Sequence, residues 1–210
     1  MHVRSLFALL ALGVSIDAAA QSTITLHTDE TWSAFDPAAA STLTSDAGAA
    51  RLVCLTDGTQ CPSGAMKYWS GDATGYGGTG LWNVYIDPAT QARWIWSPTV
   101  TPDTTGAENA EFFFVKAFSV PGTPVSATVT CAADDLAELY VNGTAVAQRC
   151  DGGSALNTLD VGAYLRPGAN MFVLHAQNGP KWFSATCSDT CTYSQNPAAV
   201  VLYGTIQYQP

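Results

Sequence analysis

The segment that most constrains the fold covers residues 128–150 and reads TVTCAADDLAELYVNGTAVAQRC. Apolar and polar residues alternate around Val129 and again around Leu139, which is typical of β-strands with one buried face. Asn142-Gly143 predicts a two-residue hairpin, because a type I′ turn needs a positive φ at both of its central positions. The segment therefore predicts three strands, with a tight acidic turn between the first strand and the second.

The first twenty residues have the pattern of a secretory signal peptide. Arg4 supplies the positive charge, residues 6–16 form a short apolar stretch, and Ala18-Ala19-Ala20 is a small-residue cleavage site. This apolar stretch is too short to span a bilayer as a helix. We therefore expect a secreted, extracellular protein whose domain covers residues 21–210. Within it, residues 93–210 are expected to form the sandwich core, and residues 21–92 are expected to add N-terminal strands and loops.

Charge and composition restrict the partners of the chain. The formal net charge is −9, and an acidic surface repels nucleic acids and anionic membranes. Only 12% of the residues are charged, and small uncharged residues fill most polar positions, which is typical of an extracellular β-protein. We expect neither nucleic-acid binding nor membrane insertion.

Six cysteines follow the signal-like segment, and an even number in an exported chain predicts disulfides. A zinc site is disfavoured, because the sequence contains no Cys-x-x-Cys pair and no cluster of Cys with His. Proximity along the chain favours three local pairs, namely Cys54–Cys61, Cys131–Cys150 and Cys187–Cys191.

Strand-like patterns separated by Gly and Pro recur along the rest of the chain. Phe residues occupy both faces of residues 111–120, which predicts a central strand that is covered on both sides. Residues 170–177 and 198–208 also alternate, and no stretch has the pattern of a long amphipathic helix. The sequence therefore predicts an all-β fold, an antiparallel β-sandwich with disulfide-held loops.

The order of these patterns in residues 93–208 resembles the galactose-binding-domain-like jelly rolls. These β-sandwiches occur as sugar-binding modules and as accessory domains of glycoside hydrolases. The matching pieces, in order, are RWIW, FFFVKAFSVPG, a strand that ends in Asp134-Asp135 before LYVNG, then LRPGAN, and a strand that ends in Ala-Gln-Asn. The resemblance implies a jelly-roll sandwich and a carbohydrate ligand.

Asp134-Asp135 is also similar to the Asp-Asp motif of lectin domains related to anthrax protective antigen. In those domains the pair helps to bind calcium, which in turn binds a sugar. Adjacent carboxylates in a tight turn supply the hard oxygen ligands that Ca²⁺ prefers. Asp also suits a turn without any metal, because its side chain bonds the local backbone. The sequence leaves both interpretations open, with Ca²⁺ or no cofactor.

Aromatic residues in loops are the candidate sugar-binding residues. A Trp or Tyr ring offers an apolar face on which a pyranose ring stacks, and loops on a rigid scaffold commonly carry binding residues. Trp182 is the expected stacking residue, with the alternative that it folds back onto the core. The full set of candidates is Lys181, Trp182, Tyr193, Trp69 and Tyr76.

Motifs for catalysis are missing from the sequence, which contains no Gly-x-Ser-x-Gly elbow and no His-Glu-x-x-His. His27 and His175 lie within strand patterns, where a histidine with a satisfied hydrogen bond is expected. We therefore expect a non-catalytic, lectin-like protein that binds a glycan or polysaccharide. The alternatives are an extracellular structural subunit that self-assembles and, third, a glycan-active enzyme. Asn142-Gly143-Thr144 also matches the N-glycosylation sequon.

Overall fold

Two β-sheets pack face to face in the computed structural model, which describes residues 20–36, 48–54, 66–67, 88–151, 155–179 and 190–210. The prediction of an all-β sandwich with antiparallel sheets is confirmed. Among the described residues, no helix is long and apolar enough to cross a membrane. The strands, numbered in chain order, are β1 (Ser22–His27), β2 (Ser33–Phe35), β3 (Gly48–Ala49), β4 (Arg51–Cys54), β5 (Met66–Lys67), β6 (Ile95–Trp96), β7 (Glu111–Val120), β8 (Thr123–Asp134), β9 (Leu136–Val141), β10 (Thr144–Asp151), β11 (Asn157–Asp160), β12 (Gly168–Gln177) and β13 (Ala199–Gln209).

In each sheet the two longest strands are neighbours, namely β8 and β13 in the first and β7 and β12 in the second. In the first sheet the order is β11-β8-β13-β6-β4-β5, and β1 pairs with β13 beside this path. In the second sheet the order is β10-β9-β12-β7-β2-β3. All these pairs are antiparallel except β4 with β5, which is parallel. The signal-like segment of residues 1–19 lies outside the described residues.

Inward-facing side chains of β7 and β12 fill the interior of the sandwich. Phe112 and Phe114 of β7 point inward, as do the buried Phe172 and Leu174 of β12. The expectation that β7 is covered on both sides is wrong for part of its length. Although β7 is central within its sheet, its outward face is half-buried to exposed, because no further layer of the described residues covers it fully.

Aromatic side chains form the densest part of the core. The fully buried Trp96 ring lies 5.4 Å from Phe112 and 5.7 Å from Phe114, between ring centroids. Trp32 is also fully buried, and its Nε1–H donates to the His27 carbonyl at 2.8 Å. Each large apolar side chain of this kind stabilises the fold by roughly 1.5–3 kcal/mol relative to an exposed position.

The predicted disulfide between Cys131 and Cys150 is confirmed. It joins β8 of the first sheet to β10 of the second, with a Cα–Cα distance of 5.5 Å, and both residues are fully buried. This disulfide therefore links the two sheets through the core. Cys191 is disulfide-bonded as well, whereas the side chains of Cys54, Cys61 and Cys187 lie outside the described residues.

The predicted hairpin at Asn142-Gly143 is confirmed, with φ values of 52° and 82°. The Asn142 side chain does more than permit the turn. Its Nδ2 donates to the Tyr164 carbonyl at 2.9 Å and to Asn170 Oδ1 at 2.8 Å, and its Oδ1 accepts from Met171 N–H at 3.0 Å. An N-linked glycan on this sequon would replace one of the two Nδ2 protons that make these internal bonds.

We predict that removing the inter-sheet disulfide lowers stability strongly. The loop closed by Cys131 and Cys150 spans a sequence separation of 19 residues. Because the cross-link restricts the unfolded chain, the double variant Cys131→Ala, Cys150→Ala should lose about 3 kcal/mol of unfolding free energy in urea titrations. A loss below about 1 kcal/mol would contradict this inter-sheet role.

We also predict that Asn142→Gly destabilises the fold although it suits the turn. Glycine adopts the positive φ freely, so the variant removes only the side-chain hydrogen bonds. Unfolding free energy should fall by about 1–3 kcal/mol, because Asn170 and the Met171 N–H lose partners. An unfolding free energy of Asn142→Gly equal to that of the wild type would argue against the network.

Candidate functional site

Several strand termini of both sheets meet at one end of the sandwich. Ala199 pairs with Asp134 in the first sheet, and Gln177 pairs with Glu111 and Leu136 in the second. The chain crosses from one sheet to the other between β8 and β9, at Asp135. We call this region the Asp135 end; the Asn142-Gly143 turn lies at the opposite end of β9.

Asp135 is held by the segment that follows β12. Its backbone N–H donates to the Gln177 carbonyl at 3.1 Å, and its Oδ2 accepts from the Gly179 N–H at 2.6 Å. A Cβ at position 179 would lie only 2.9 Å from Asp135 Oδ2, so a larger residue there would displace the Asp135 carboxylate. The neighbouring Asp134 is buried, and the peptide bond between the two aspartates is cis.

Burial changes the acidity of this site. Desolvation raises the pKa of the Asp135 carboxyl above its usual 3.8, while the Gly179 N–H and the Asp134 side chain act in the opposite direction. A cation bound beside Asp135 would stabilise the charged form of this carboxyl, which burial disfavours.

Asn178 is fully buried and lies between Gln177 and Gly179, the two residues whose backbones bond Asp135. Both of its Nδ2 protons donate to carbonyls, to Ala107 at 2.7 Å and to Asn196 at 3.1 Å. Among the described residues, its Oδ1 has no hydrogen-bond partner. Because two carbonyls face the nitrogen, the amide cannot flip to exchange its ends. Asn178 therefore presents a fixed, buried and unpaired acceptor.

The Asp135 end thus carries the oxygen donors that a hard cation prefers, in two carboxylates and one amide oxygen. In the described part of the chain, no three His, Cys, Asp or Glu side chains come together to hold a metal ion. A calcium site here would consequently combine the carboxylates with amide or backbone oxygens, which is ordinary for Ca²⁺.

A cleft of about 420 Å³ opens at the start of β7. Its volume falls within the range of small-molecule sites in proteins. Carboxylates, uncharged polar groups and aromatic rings share its lining, which includes Asp36, Thr105, Asn109, Glu111, Phe112 and Tyr193. This cleft and Asn178 adjoin the same turn, since the Asn178 N–H donates to the Ala110 carbonyl at 2.9 Å and Ala110 also lines the cleft.

His175 lies between two glutamates on the outer face of the second sheet. Its Nε2 is 3.2 Å from Glu111 Oε2 and its Nδ1 is 3.8 Å from Glu138 Oε2, while its ring stacks on Phe113 at 4.5 Å between centroids. The Tyr140 hydroxyl donates to Glu138 at 3.1 Å, and this bond raises the pKa of Tyr140. The expectation of a hydrogen-bonded His175 within a strand is confirmed.

The predicted site residues have different positions. Asp134 and Asp135 lie at the Asp135 end, and Tyr193 lines the nearby cleft. Tyr193 is only 1% exposed and packs 6.5 Å from the Trp96 ring, so its ring is a wall of the core, and burial raises the pKa of its hydroxyl. The other candidates lie outside the described residues, namely Lys181, Trp182, Trp69 and Tyr76.

Sequence reasoning missed Asn178 and Glu111 as members of a site. The only signal for Asn178 is its position immediately after a buried strand and before a glycine. Glu111 begins β7 in a run of phenylalanines, and no pattern in the sequence indicates that it faces a cleft. Both assignments depend on which loops meet at the Asp135 end.

Comparisons with known proteins identify no family for this chain. No family model matches it, and no curated protein matches it. Similar solved structures include β-glucuronidase of Ruminococcus gnavus in complex with uronic isofagomine, at 12% identity over 98% of this chain and 30% of that one, with a TM-score of 0.44. A Pleurotus ostreatus lectin in complex with GalNAc matches at 23% identity over 54% of this chain and 29% of that one, with a TM-score of 0.40.

A Streptomyces avermitilis α-L-rhamnosidase complexed with L-rhamnose matches at 22% identity over 52% of this chain and 10% of that one, with a TM-score of 0.36. This chain therefore spans between 10% and 30% of the length of these three proteins.

We predict that the ionisation of Asp135 lowers the stability of the fold as pH rises above the usual pKa of an aspartate carboxyl. A raised folded-state pKa means that the protonated form favours the fold. This contribution is fully present below the unfolded value and is lost as pH rises through the folded value. In EDTA, Asp135→Asn should therefore gain melting temperature relative to the wild type between acidic and neutral pH. A difference that is constant with pH would contradict this assignment.

Proposed function

We propose that this protein is a secreted, non-catalytic carbohydrate-binding protein whose ligand is held through a calcium ion at the Asp135 end. The fold class, the adjacent carboxylates and the resemblance of the Asp134-Asp135 pair to calcium-binding lectin motifs all support this proposal. Calcium, when bound, supplies a positive charge with open coordination positions that sugar hydroxyls can fill.

The observation that carries the proposal is the buried, unpartnered Oδ1 of Asn178. Leaving a buried acceptor without a partner costs about 1–3 kcal/mol, so such atoms are rare unless a ligand or ion completes them. The Ala107 and Asn196 carbonyls fix this oxygen in place, and Asn196 Nδ2 also donates to the Gly179 carbonyl at 3.0 Å. Preorganised oxygens of this kind suit a cation.

The same segment holds Asp135 and Asn178 together. Gly179 donates to the Asp135 carboxylate, and Asn178 precedes Gly179 in the chain. Binding of a cation by Asp134, Asp135 and Asn178 would neutralise a carboxylate whose charged form is disfavoured by burial. In this proposal Ca²⁺ is the cofactor, and these three residues are its side-chain ligands.

The contacts of two glutamates with His175 support a binding role for the protein. A glycosidase requires two carboxyl groups that flank the scissile bond. Glu111 and Glu138 instead contact the two ring nitrogens of one imidazole, and Glu138 also accepts from Tyr140. This arrangement supports a lectin-like role, in which the network stabilises the sheet.

We predict calcium-dependent binding on a glycan array probed with the mature protein. The array should include glycans that bind in the presence of calcium and not in EDTA. Asp135→Asn should weaken calcium binding in calorimetry by at least tenfold, because one of the anionic ligands is lost. It should leave the fold intact, because an amide oxygen still accepts from the Gly179 N–H.

Asp160→Asn is the matched control for this experiment. Asp160 is exposed and, like Asp135, accepts a glycine N–H, in this case from Gly162 at 2.9 Å. It pairs with Thr128, which lies farther from the Asp135 end of β8 than Cys131 does. Its variant should bind calcium and glycans as the wild type does. Absence of binding to every glycan in both conditions would overturn the proposal. Filaments in electron microscopy would then favour the self-assembling structural subunit.

A further inference from the structure

The cleft at the start of β7 is a second place where a ligand fits. It is distinct from the calcium ligands of the Asp135 end, because neither Asp134, Asp135 nor Asn178 lines it. A volume of about 420 Å³ greatly exceeds that of a bare ion and suits a small organic molecule.

Three polar groups of the lining are open to a ligand. Glu111 uses Oε2 for His175, and its side chain is 37% exposed. Among the residues that the structure describes, none bonds Glu111 Oε1, the Thr105 hydroxyl or the Asn109 side chain. Thr105 and Asn109 are both exposed, and Asn109 has a φ of 57°. A hydroxyl, an amide and a carboxylate oxygen thus line one cleft.

Two aromatic rings form the base of the cleft. Phe112 is 8% exposed, Tyr193 is 1% exposed, and both rings pack against the buried Trp96. Because so little of either ring is exposed, the exposed polar groups of the lining are the ones that bond the substituents of a ligand. Together these features suit a polyhydroxylated ring of sugar size.

The charge of the lining residues favours a cationic sugar over a neutral or anionic one. Two carboxylates, Asp36 and Glu111, line the cleft, whereas none of its described lining residues is Lys, Arg or His. The chain also carries a net charge of −9, so the approach of a cationic ligand is favoured at long range. An anionic sugar would meet repulsion in this cleft.

We propose that this cleft binds an amino sugar with a free, protonated amine, as a unit of a de-N-acetylated polysaccharide. The ammonium group faces Glu111, and the hydroxyls bond Thr105 and Asn109. This inference does not rest on the proposed calcium-dependent function.

Calorimetry with a glucosamine tetramer tests this proposal, at mildly acidic pH and in EDTA. The N-acetylated tetramer is the matched ligand without charge, and spermine is the matched amine without sugar rings. The glucosamine tetramer should bind more tightly than either. Comparable binding of the N-acetylated tetramer or of spermine would overturn the proposal, because either the charge or the rings would then be irrelevant.

Glu111→Gln and Glu138→Gln separate the cleft from the network around His175. Both glutamates contact His175, but only Glu111 lines the cleft. Glu111→Gln should weaken binding of the glucosamine tetramer by roughly tenfold, the scale of one charge-assisted hydrogen bond. Glu138→Gln should leave binding unchanged, and near-ultraviolet circular dichroism should confirm that both variants are folded.

Equal effects of the two glutamate substitutions would overturn the assignment to the cleft. Asp135→Asn should bind the tetramer as the wild type does, and a loss there would place the amine at the Asp135 end instead. Calcium-dependent binding on the array without any tetramer binding would refute this inference alone. Tetramer binding in EDTA, together with an array that shows no calcium-dependent binding, would support this inference and refute only the proposed function.

Discussion

The fold depends on how the chain passes from the first sheet to the second between β8 and β9. At Asp135 the chain leaves the central part of the first sheet and enters the second, and its N–H and Oδ2 both bond the segment that follows β12. The Cys131–Cys150 disulfide links the same two sheets only a few residues earlier. These contacts fix the relative position of the strand ends that form the candidate calcium site and adjoin the cleft.

Each end of the sandwich contains a buried asparagine, and the two differ in whether their hydrogen bonds are satisfied. At the turn end, Asn170 is 3% exposed and its amide bonds Arg166, Gly168 and Asn142, so its polar atoms are satisfied. At the Asp135 end, Asn178 is equally buried but leaves its Oδ1 unpaired. Since an unpaired buried acceptor is costly, the contrast separates an asparagine that stabilises the fold from one that suits a ligand.

A network of polar and aromatic side chains lies on the outer face of the second sheet and leaves that face partly buried. Phe113 stacks on His175, whose ring nitrogens contact carboxylates from β7 and β9, so three strands are joined by side chains as well as by backbone bonds. Glu111 belongs both to this network and to the cleft. Its position connects the stability of the second sheet to the shape of the proposed binding site.

The sequence by itself determined the local structure. Alternation around Val129 and Leu139 predicted strands with the correct buried faces, Asn142-Gly143 predicted the turn, and proximity predicted the Cys131–Cys150 disulfide. These features depend on neighbours in the chain, on a period of two and on the φ that a turn requires.

Only the tertiary structure decided the rest. Alternation states which face of a strand is buried but not which strand lies beside it, so the sequence did not show that β8 and β9 belong to different sheets. The unpaired oxygen of Asn178, the contact of Glu111 with His175 and the cleft near Tyr193 all arise between residues far apart in the chain. Hydrogen-bond satisfaction is a property of packed neighbours, and it becomes visible only when the strand ends have been brought together.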